Sequence, residues 1–378
     1  MIKASEQNDN QKPEFYEFRL FSLYLFLMKK GLFVLILLWS SVLLAQENTV
    51  NKDSKFSFSG YLETYFSYDF NQPDDHFRPD FLYNFKRHNE FSVNLALLQA
   101  SYQDGNMRAN LGLMLGNYAQ FNLADEPNWA QMVYEASVGF QLLDKLWLDV
   151  GIMPSHIGFE SAIGADCWHL SRSLLAENSP YFLTGARFSY ELNSQIDLTL
   201  WLTNGWQNVQ RIQGNQALGL GLGVNYRPIE NLELNYSNYF GNEQGGSFRQ
   251  NRFFNNFYAQ YHFGKWGATL GTDFGIEPTI SGSMNEWTGI TASLKRMITD
   301  KITLAGRAEY YSDPAGVILS EGLKVSSLSS NIDYQIHPAG LIRLELRQFI
   351  GQEAIFDLPA ARFSKGNTAM TVSFSTKF

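Results

Sequence analysis

The sequence predicts an all-β protein, an antiparallel transmembrane barrel of about 16 strands within a range of about 14 to 18. Three observations predict it. After residue 45 the chain alternates apolar and polar residues in stretch after stretch, the period-2 mark of strands with two differently solvated faces. Its connections alternate between short turns and long polar loops. Its composition is 15% aromatic and only 17% charged, against roughly 25% charged in ordinary soluble domains. Mean hydropathy is nevertheless just -0.21, because Asn, Gln, Ser, Thr and Gly are plentiful.

The first continuously apolar element is "MKKGLFVLILLWSSVLLAQ", Met28 to Gln46. Two lysines, an apolar core and a small residue at Ala45 have the order of a secretory signal cleaved after Ala45. Leu20 to Leu27 is also apolar, but Lys29 and Lys30 split the block short of the about 20 uninterrupted apolar residues a membrane helix needs. The expected organisation is therefore a non-native or disordered leader over 1–27, a signal peptide over 28–45, a short segment over 46–55 and the barrel over 56–378. No helix-length apolar run follows, so an exported chain either stays soluble or crosses a membrane as strands. Five basic and four acidic residues precede Gln46, which leaves the mature chain with a net charge of -9 and argues against nucleic acid as a partner. A single cysteine, Cys167, forms no internal disulfide and lies too far from the cleavage point to anchor a lipid.

Along the mature chain the strands read one after another. "FSVNLALL" (Phe91 to Leu98), "IDLTLWLT" (Ile196 to Thr203) and "LELNYSNY" (Leu232 to Tyr239) are two-sided. In "KITLAGRAEY", Ile302, Leu304, Gly306, Ala308 and Tyr310 form one face, and Lys301, Thr303, Arg307 and Glu309 the other. In "LIRLELRQF", Ile342, Leu344 and Leu346 alternate with Arg343, Glu345 and Arg347. Taking the residues opposite the apolar face gives the predicted lumen wall: Glu63, Glu90, Arg108, Glu135, Arg187, Arg307, Glu309, Arg343, Glu345 and Arg347. Opposed charges of this kind would set up a transverse field along a polar path; the plainer reading is that they pair to hold the wall, where surface-like pairs contribute only about 0 to 1 kcal/mol each.

Short turns fall at Asp104 to Asn106, Asp144 and Lys145, Asn193 to Gln195, Pro228 to Asn231, Gly264 and Lys265, Thr299 to Lys301, and Pro338 to Gly340, all of turn-forming types. Seven short turns and eight longer loops give 16 strands with both ends on the short-turn side, the pattern of an outer-membrane barrel with periplasmic turns and external loops. Tyr61, Tyr65, Phe66, Tyr68 and Phe70, with Tyr181, Phe182, Tyr239 and Phe240, are expected to form interfacial girdles. The last strand, "TAMTVSFSTKF", puts Met370, Val372, Phe374 and Phe378 on one face, and its terminal aromatic suits recognition by barrel-assembly machinery.

Four phrases resemble a known family: "SGYLETYFSYDFNQP" (Ser59 to Pro73), "RHNEFSVNLALLQASY" (Arg87 to Tyr102), "LWLDVGIMPSHIGFESAIGADCWHLSRSLLAENSPYFLTGARFSY" (Leu146 to Tyr190) and "LTNGWQNVQ" (Leu202 to Gln210). They resemble the OmpL-like β-barrel porins over roughly the first half of the mature chain; the rest is similar mainly in pattern. The resemblance implies an outer-membrane barrel of porin type. It carries no catalytic or substrate-binding positions.

The segment from about Ser155 to Pro180 is the third and longest long loop. It concentrates two histidines, three acids, an arginine and the only cysteine. By fold-level analogy with sixteen-stranded porins, where the third loop folds into the channel, it is expected to narrow the lumen through His156, Glu160, Asp166, His169, Arg172 and Glu177. Gly158, Gly164 and Gly185 would permit tight backbone passage. A thiol nucleophile at Cys167 with His156, or Ser161 or Ser171 with His169, would suggest hydrolysis, but no nucleophile elbow or third orienting group stands at a diagnostic spacing. His156, Glu160, Cys167 and His169 are also zinc-type donors, in a spacing that fits no closed motif.

The expected function is passive diffusion of small hydrophilic solutes or ions through the outer membrane of a Gram-negative-type bacterium. It needs no catalysis, metal or cofactor. Its partners would be outer-membrane lipids, barrel-assembly machinery and small polar solutes, with room for a homotrimer. Rival readings are a barrel enzyme of lipase or protease type and a structural or adhesive barrel closed by its loop.

Overall fold

A computed structural model describes residues 54–246, 249–279, 281–319 and 322–378. The leader, the signal peptide and most of the short segment after it lie outside the described residues. The first half of the sheet comprises β1 (Phe56–Asp69), β2 (Phe91–Asp104), β3 (Met107–Leu115), β4 (Val133–Leu143), β5 (Leu146–Pro154), β6 (Phe182–Asn193), β7 (Ile196–Thr203) and β8 (Gly219–Ile229). The second half comprises β9 (Leu232–Asn242), β10 (Asn251–Phe263), β11 (Trp266–Pro278), β12 (Met284–Met297), β13 (Ile302–Asp313), β14 (Leu323–His337), β15 (Gly340–Gly351) and β18 (Gly366–Lys377). Neighbours in sequence pair antiparallel, and β1 pairs with β18 from Tyr61↔Lys377 to Asp69↔Ala369, so the 16 strands close into a barrel. Closure leaves no free edge.

All seven short turns fall where the turn residues place them, between β2 and β3 through to β14 and β15. The long connections all lie at the other end. One carries a separate hairpin, β16 (Phe356–Leu358) with β17 (Arg362–Ser364), and another a short helix, α1 (Asn117–Asn122).

Alternation sets the two faces of the wall. On β13 the exposed Leu304, Ala308 and Tyr310 alternate with the buried Ala305, Arg307, Glu309 and Tyr311. On β15 the exposed Leu344, Leu346 and Ile350 alternate with the buried Arg343, Glu345, Arg347 and Phe349. Met370, Phe374 and Phe378 are exposed on the outer face of β18. Phe378 also closes the seam: its backbone N–H donates to Gly60 O at 3.1 Å, and Gly60 N–H donates to Phe378 O at 2.7 Å. A Cβ at Gly60 would fall 2.4 Å from the Phe378 ring, so the glycine makes room for that ring.

Three expectations about faces are corrected. On β2, Leu95 and Leu97 point inward and are buried, while Phe91 and Leu98 are exposed; a register shift against β1 at Glu63/Thr64 changes the face partway along, as a bulge does. Tyr61, Tyr65, Phe182 and Tyr239 are buried inside the barrel rather than on a girdle, because each occupies an inward position of its strand; of the β1 group only Phe66, Tyr68 and Phe70 lie on the outer face. Glu90 is not on the wall: β2 starts at Phe91, and Glu90 is held by Arg87 three residues before it, Oε2 accepting from Nη2 at 3.2 Å.

Candidate functional site: the loop inside the barrel

The third long loop, residues 155–181, packs against the inner face of β13 to β15. The sequence already contains its anchors, since the inward positions of those strands include Arg307, Glu309, Asn331, Arg343, Glu345 and Arg347. Arg343 is bidentate to Asp333 on β14, at 2.8 and 2.9 Å. Its outer nitrogens donate to three loop carbonyls, Gly164 O at 2.7 Å, Cys167 O at 2.8 Å and His169 O at 2.9 Å. Arg307 donates to Ser171 O at 2.9 Å and Ser171 Oγ at 3.1 Å. Arg347 donates to Arg172 O at 2.8 Å, Ser171 Oγ at 2.9 Å and Glu309 at 2.7 Å.

Wall carboxylates take the loop N–H groups in return. Glu345 accepts from Ser171 N at 2.9 Å and Glu309 from Leu174 N at 2.8 Å. Asn331 Oδ1 accepts from Leu170 N at 3.0 Å. The buried backbone of a loop with no sheet partner is thus satisfied by wall side chains, through charge-assisted bonds of the stronger class.

Within the loop, Arg172 is fully buried and ties the loop to itself, donating to Ser161 O at 2.6 Å, Leu170 O at 2.8 Å and Ala162 O at 3.1 Å. Ser173 caps the four-residue helix α2 (Leu174–Glu177), its Oγ accepting from Ala176 N at 3.2 Å. Glu160 accepts from Ser173 N at 2.7 Å and lies 3.4 Å from Arg307. At Gly164 a Cβ would stand 2.8 Å from Glu63 Oε1 and 2.9 Å from Tyr61 Oη, so only glycine lets the loop approach β1 this closely. His156 Nε2 donates to Asn238 O at 3.1 Å and its ring stacks on Trp201. It rests where Cβ atoms at Gly221 and Gly223 would be, 2.7 and 3.2 Å away; the spaced glycines of "GLGLG" form its bed.

Glu177 joins the loop to the first long loop, accepting from Tyr83 N at 2.8 Å and Asn84 Nδ2 at 3.2 Å. Burial pushes its carboxyl up to about 7, although those two donors and Arg172 oppose the shift. Asp166, by contrast, is exposed and pairs with Lys377 beside the short-turn end of β18.

A second charged group lies on β3 to β6. Asp149 is buried and bidentate to Arg108 at 2.6 and 2.7 Å, with Arg187 at 3.1 Å. Here the guanidiniums keep 27% and 25% of their side-chain surface exposed, and no loop residue is bonded to them. Arg108 stacks over Trp147 at 4.2 Å. Glu135 lies on the same inner face, accepting from Ser137 Oγ at 3.0 Å. Beside the loop is a space of about 260 Å³ lined by Tyr134, Ser155, Phe159, Glu160, Tyr181 and Tyr258, among others.

The donors that suggested catalysis or zinc take separate partners. Cys167 Sγ contacts only backbone, Ser161 N and O both at 3.3 Å and Ile163 O at 3.8 Å, and burial raises its thiol above the usual range. His169 Nε2 meets Ser293 Oγ, a pairing the sequence did not suggest. Burial and then the neighbouring Arg307, Arg343 and Arg347 hold that histidine well below its ordinary value. Its Nδ1 has no hydrogen-bond partner among the described residues, so no acid orients a Ser–His pair here. Among the described residues no group of three His, Cys, Asp or Glu could hold a metal ion.

Sixteen antiparallel strands, seven tight turns at one end and a third loop folded against the inner wall define a porin-type barrel. Solved structures agree in fold. The outer membrane channel DcaP of Acinetobacter baumannii superposes with a TM-score of 0.59 at 11% identity, over 85% of this chain and 97% of that one. The anion-selective porin from Comamonas acidovorans gives 0.58 at 9% identity, over 85% and 99%. Salmonella typhi OmpF, in its complex with daunomycin, gives 0.58 at 10% identity, over 87% and 99%. No curated protein matches the chain. The family model described as "Putative beta-barrel porin-2, OmpL-like" matches residues 55–378, and the chain belongs to that family.

Proposed function

We propose that the protein is a passive outer-membrane porin in which residues 155–181 form the constriction. The observation that carries this reading is the asymmetry of the interior. The loop is bonded to the β13 to β15 wall by three arginines, while Arg108 and Arg187 of the second charged group stay about a quarter exposed and uncovered by the loop. A lumen narrowed on one side leaves a polar path on the other, and charged groups beside it bias which ions pass. Small hydrophilic solutes or ions are the class this path suits. His156, Glu160, Asp166, His169, Arg172 and Glu177 then serve the constriction by building and anchoring it, and diffusion through it needs neither a catalytic step nor a cofactor. The lipid-facing band supports an outer-membrane location, and the trimer form recorded for Vibrio cholerae OmpT makes a homotrimer the assembly to test first.

A second reading has its own observation. Phe81 and Leu82 of the first long loop pack with Ile157 and Leu174 of the third and with Tyr239, Phe254, Trp287, Tyr311 and Phe349 of the wall, an apolar cluster that would suit a structural barrel shut by its loops. Planar-bilayer recording of the purified protein separates the two. Discrete, ohmic single-channel steps support the porin; a folded, heat-modifiable barrel without steps supports the closed one.

A further inference from the structure

At the long-loop end, away from the 155–181 site, a cavity of about 370 Å³ lies between the first long loop, the ends of β1 and β18, the β16–β17 hairpin and Leu319, Gly322 and Leu323 at the start of β14. We propose that it binds an organic monocation, a primary ammonium or guanidinium carried on an apolar body. The size is that of small-molecule sites, which are mostly apolar with a few convergent polar groups. Phe77, Phe81, Ile355 and Phe356 supply the apolar wall. The rim and floor carry three carboxylates, Asp69, Asp80 and Asp357.

The polar groups are acceptors, although Asp69 already takes the Asn71 N–H at 2.9 Å. Asn367 is 3% exposed; its Nδ2 donates to both oxygens of Asp69, at 2.7 and 2.8 Å. Its Oδ1 is buried without a partner among the described residues, at a position that lines the cavity. A buried acceptor left unpaired costs free energy, and a donor on a ligand would relieve it. Lys86 offsets part of the charge by binding Asp80 at 2.9 Å, while Asp69 and Asp357 form no ion pair among the described residues. Burial and then the neighbouring Asp75, Asp80 and Asp69 raise the Asp357 carboxyl, consistent with negative charge awaiting a counterion.

The aromatic walls add cation–π attraction to the carboxylates' field. The carboxylates are too dispersed for a bare metal ion, since no metal-holding group occurs among the described residues. The walls are joined: Ala360 N–H donates to Asp74 Oδ2 at 2.9 Å, tying the hairpin to the first loop. The site is independent of whether the barrel conducts.

The test titrates the folded, full barrel in detergent with phenethylammonium, its neutral isostere 2-phenylethanol and the anion 3-phenylpropionate, by calorimetry with empty micelles subtracted. Saturable binding of the cation is expected, with the alcohol about tenfold weaker, the scale of one lost charge-assisted contact, and the anion not binding. Asp357→Lys, at an exposed position that leaves the barrel strands untouched, should abolish binding while heat-modifiability on gels stays unchanged. Asp357→Asn should weaken it about tenfold. Equal binding of the cation and the alcohol would overturn the proposal, as would full binding by the folded Asp357→Lys variant.

Discussion

The two charged groups inside this barrel use the same residue types to opposite ends. On β13 to β15, Arg307, Arg343 and Arg347 are almost wholly buried, and each donates to backbone carbonyls of residues 155–181. On β3 to β6, Arg108 and Arg187 share the single carboxylate of Asp149 and remain about a quarter exposed. The first group is covered by the loop and the second is not. Wall arginines therefore cannot be sorted by sequence position alone; what distinguishes them is whether a loop has come down to cover them.

That contrast can be broken most severely at Arg343. Replacing it with Met strands three loop carbonyls and leaves Asp333 short of its bidentate partner, and uncovering one half of a buried ion pair costs about 3–5 kcal/mol. The expected result is loss of loop docking, read as new protease cleavage within residues 155–181 and a lower unfolding temperature on heated gels. Arg108→Met should do neither, because Arg187 still holds Asp149; its stability cost should stay near that of an exposed pair, about 0 to 1 kcal/mol, with a change in ion selectivity instead. Equal behaviour of the two variants would erase the distinction between the regions.

The assignment of faces beneath this comparison is tested by Leu344→Arg against Thr303→Arg. A cation on the lipid side at mid-depth costs roughly 2 to 4 kcal/mol, so the first should impair membrane insertion and the second should be tolerated. Comparable yields of heat-modifiable protein from both would mean the faces are inverted.

Glu177 sharpens the contrast from the loop side. Its carboxyl, lifted by burial to about 7, binds a proton more tightly in the folded barrel than in the unfolded chain, so folding is favoured most below about 4.5. That advantage fades as pH rises from about 4.5 to 7 and is gone above. At about 1.4 kcal/mol per pKa unit the swing is at most roughly 3 kcal/mol. Glu177→Gln should flatten the dependence of unfolding temperature on pH between 4.5 and 7. An unchanged slope in that variant would assign the dependence to other groups.

Much of this was legible from alternation. The faces of β13, β15 and β18, the short turns and the inward arginines all follow from a period of two, because a strand between lipid and lumen has no other way to place its side chains. The same rule applied to "LWLDVG" and "NIDYQ" points Asp149 and Asp333 inward, yet their importance comes from partners distant in sequence. The bulge at Glu63/Thr64 that turns Leu95 inward, and Tyr61 and Tyr65 as interior residues, were hidden because aromatic and aliphatic side chains line this lumen wherever loops fill it. The glycines under His156, Gly221 and Gly223, could be recognised only once the loop was seen to lie on them. Which arginine meets which loop carbonyl has no local signal at all, since the contacts join residues more than a hundred positions apart.

The central claim is that residues 155–181 narrow the lumen from the β13 to β15 side, and the most direct measurement is the single-channel conductance of a variant lacking residues 158–176, recorded beside the intact protein in planar bilayers. The strands flanking the loop are left whole, so the variant should still fold into a heat-modifiable barrel, and its conductance should be clearly larger. A folded variant with the conductance of the intact protein would place the constriction elsewhere and contradict the account.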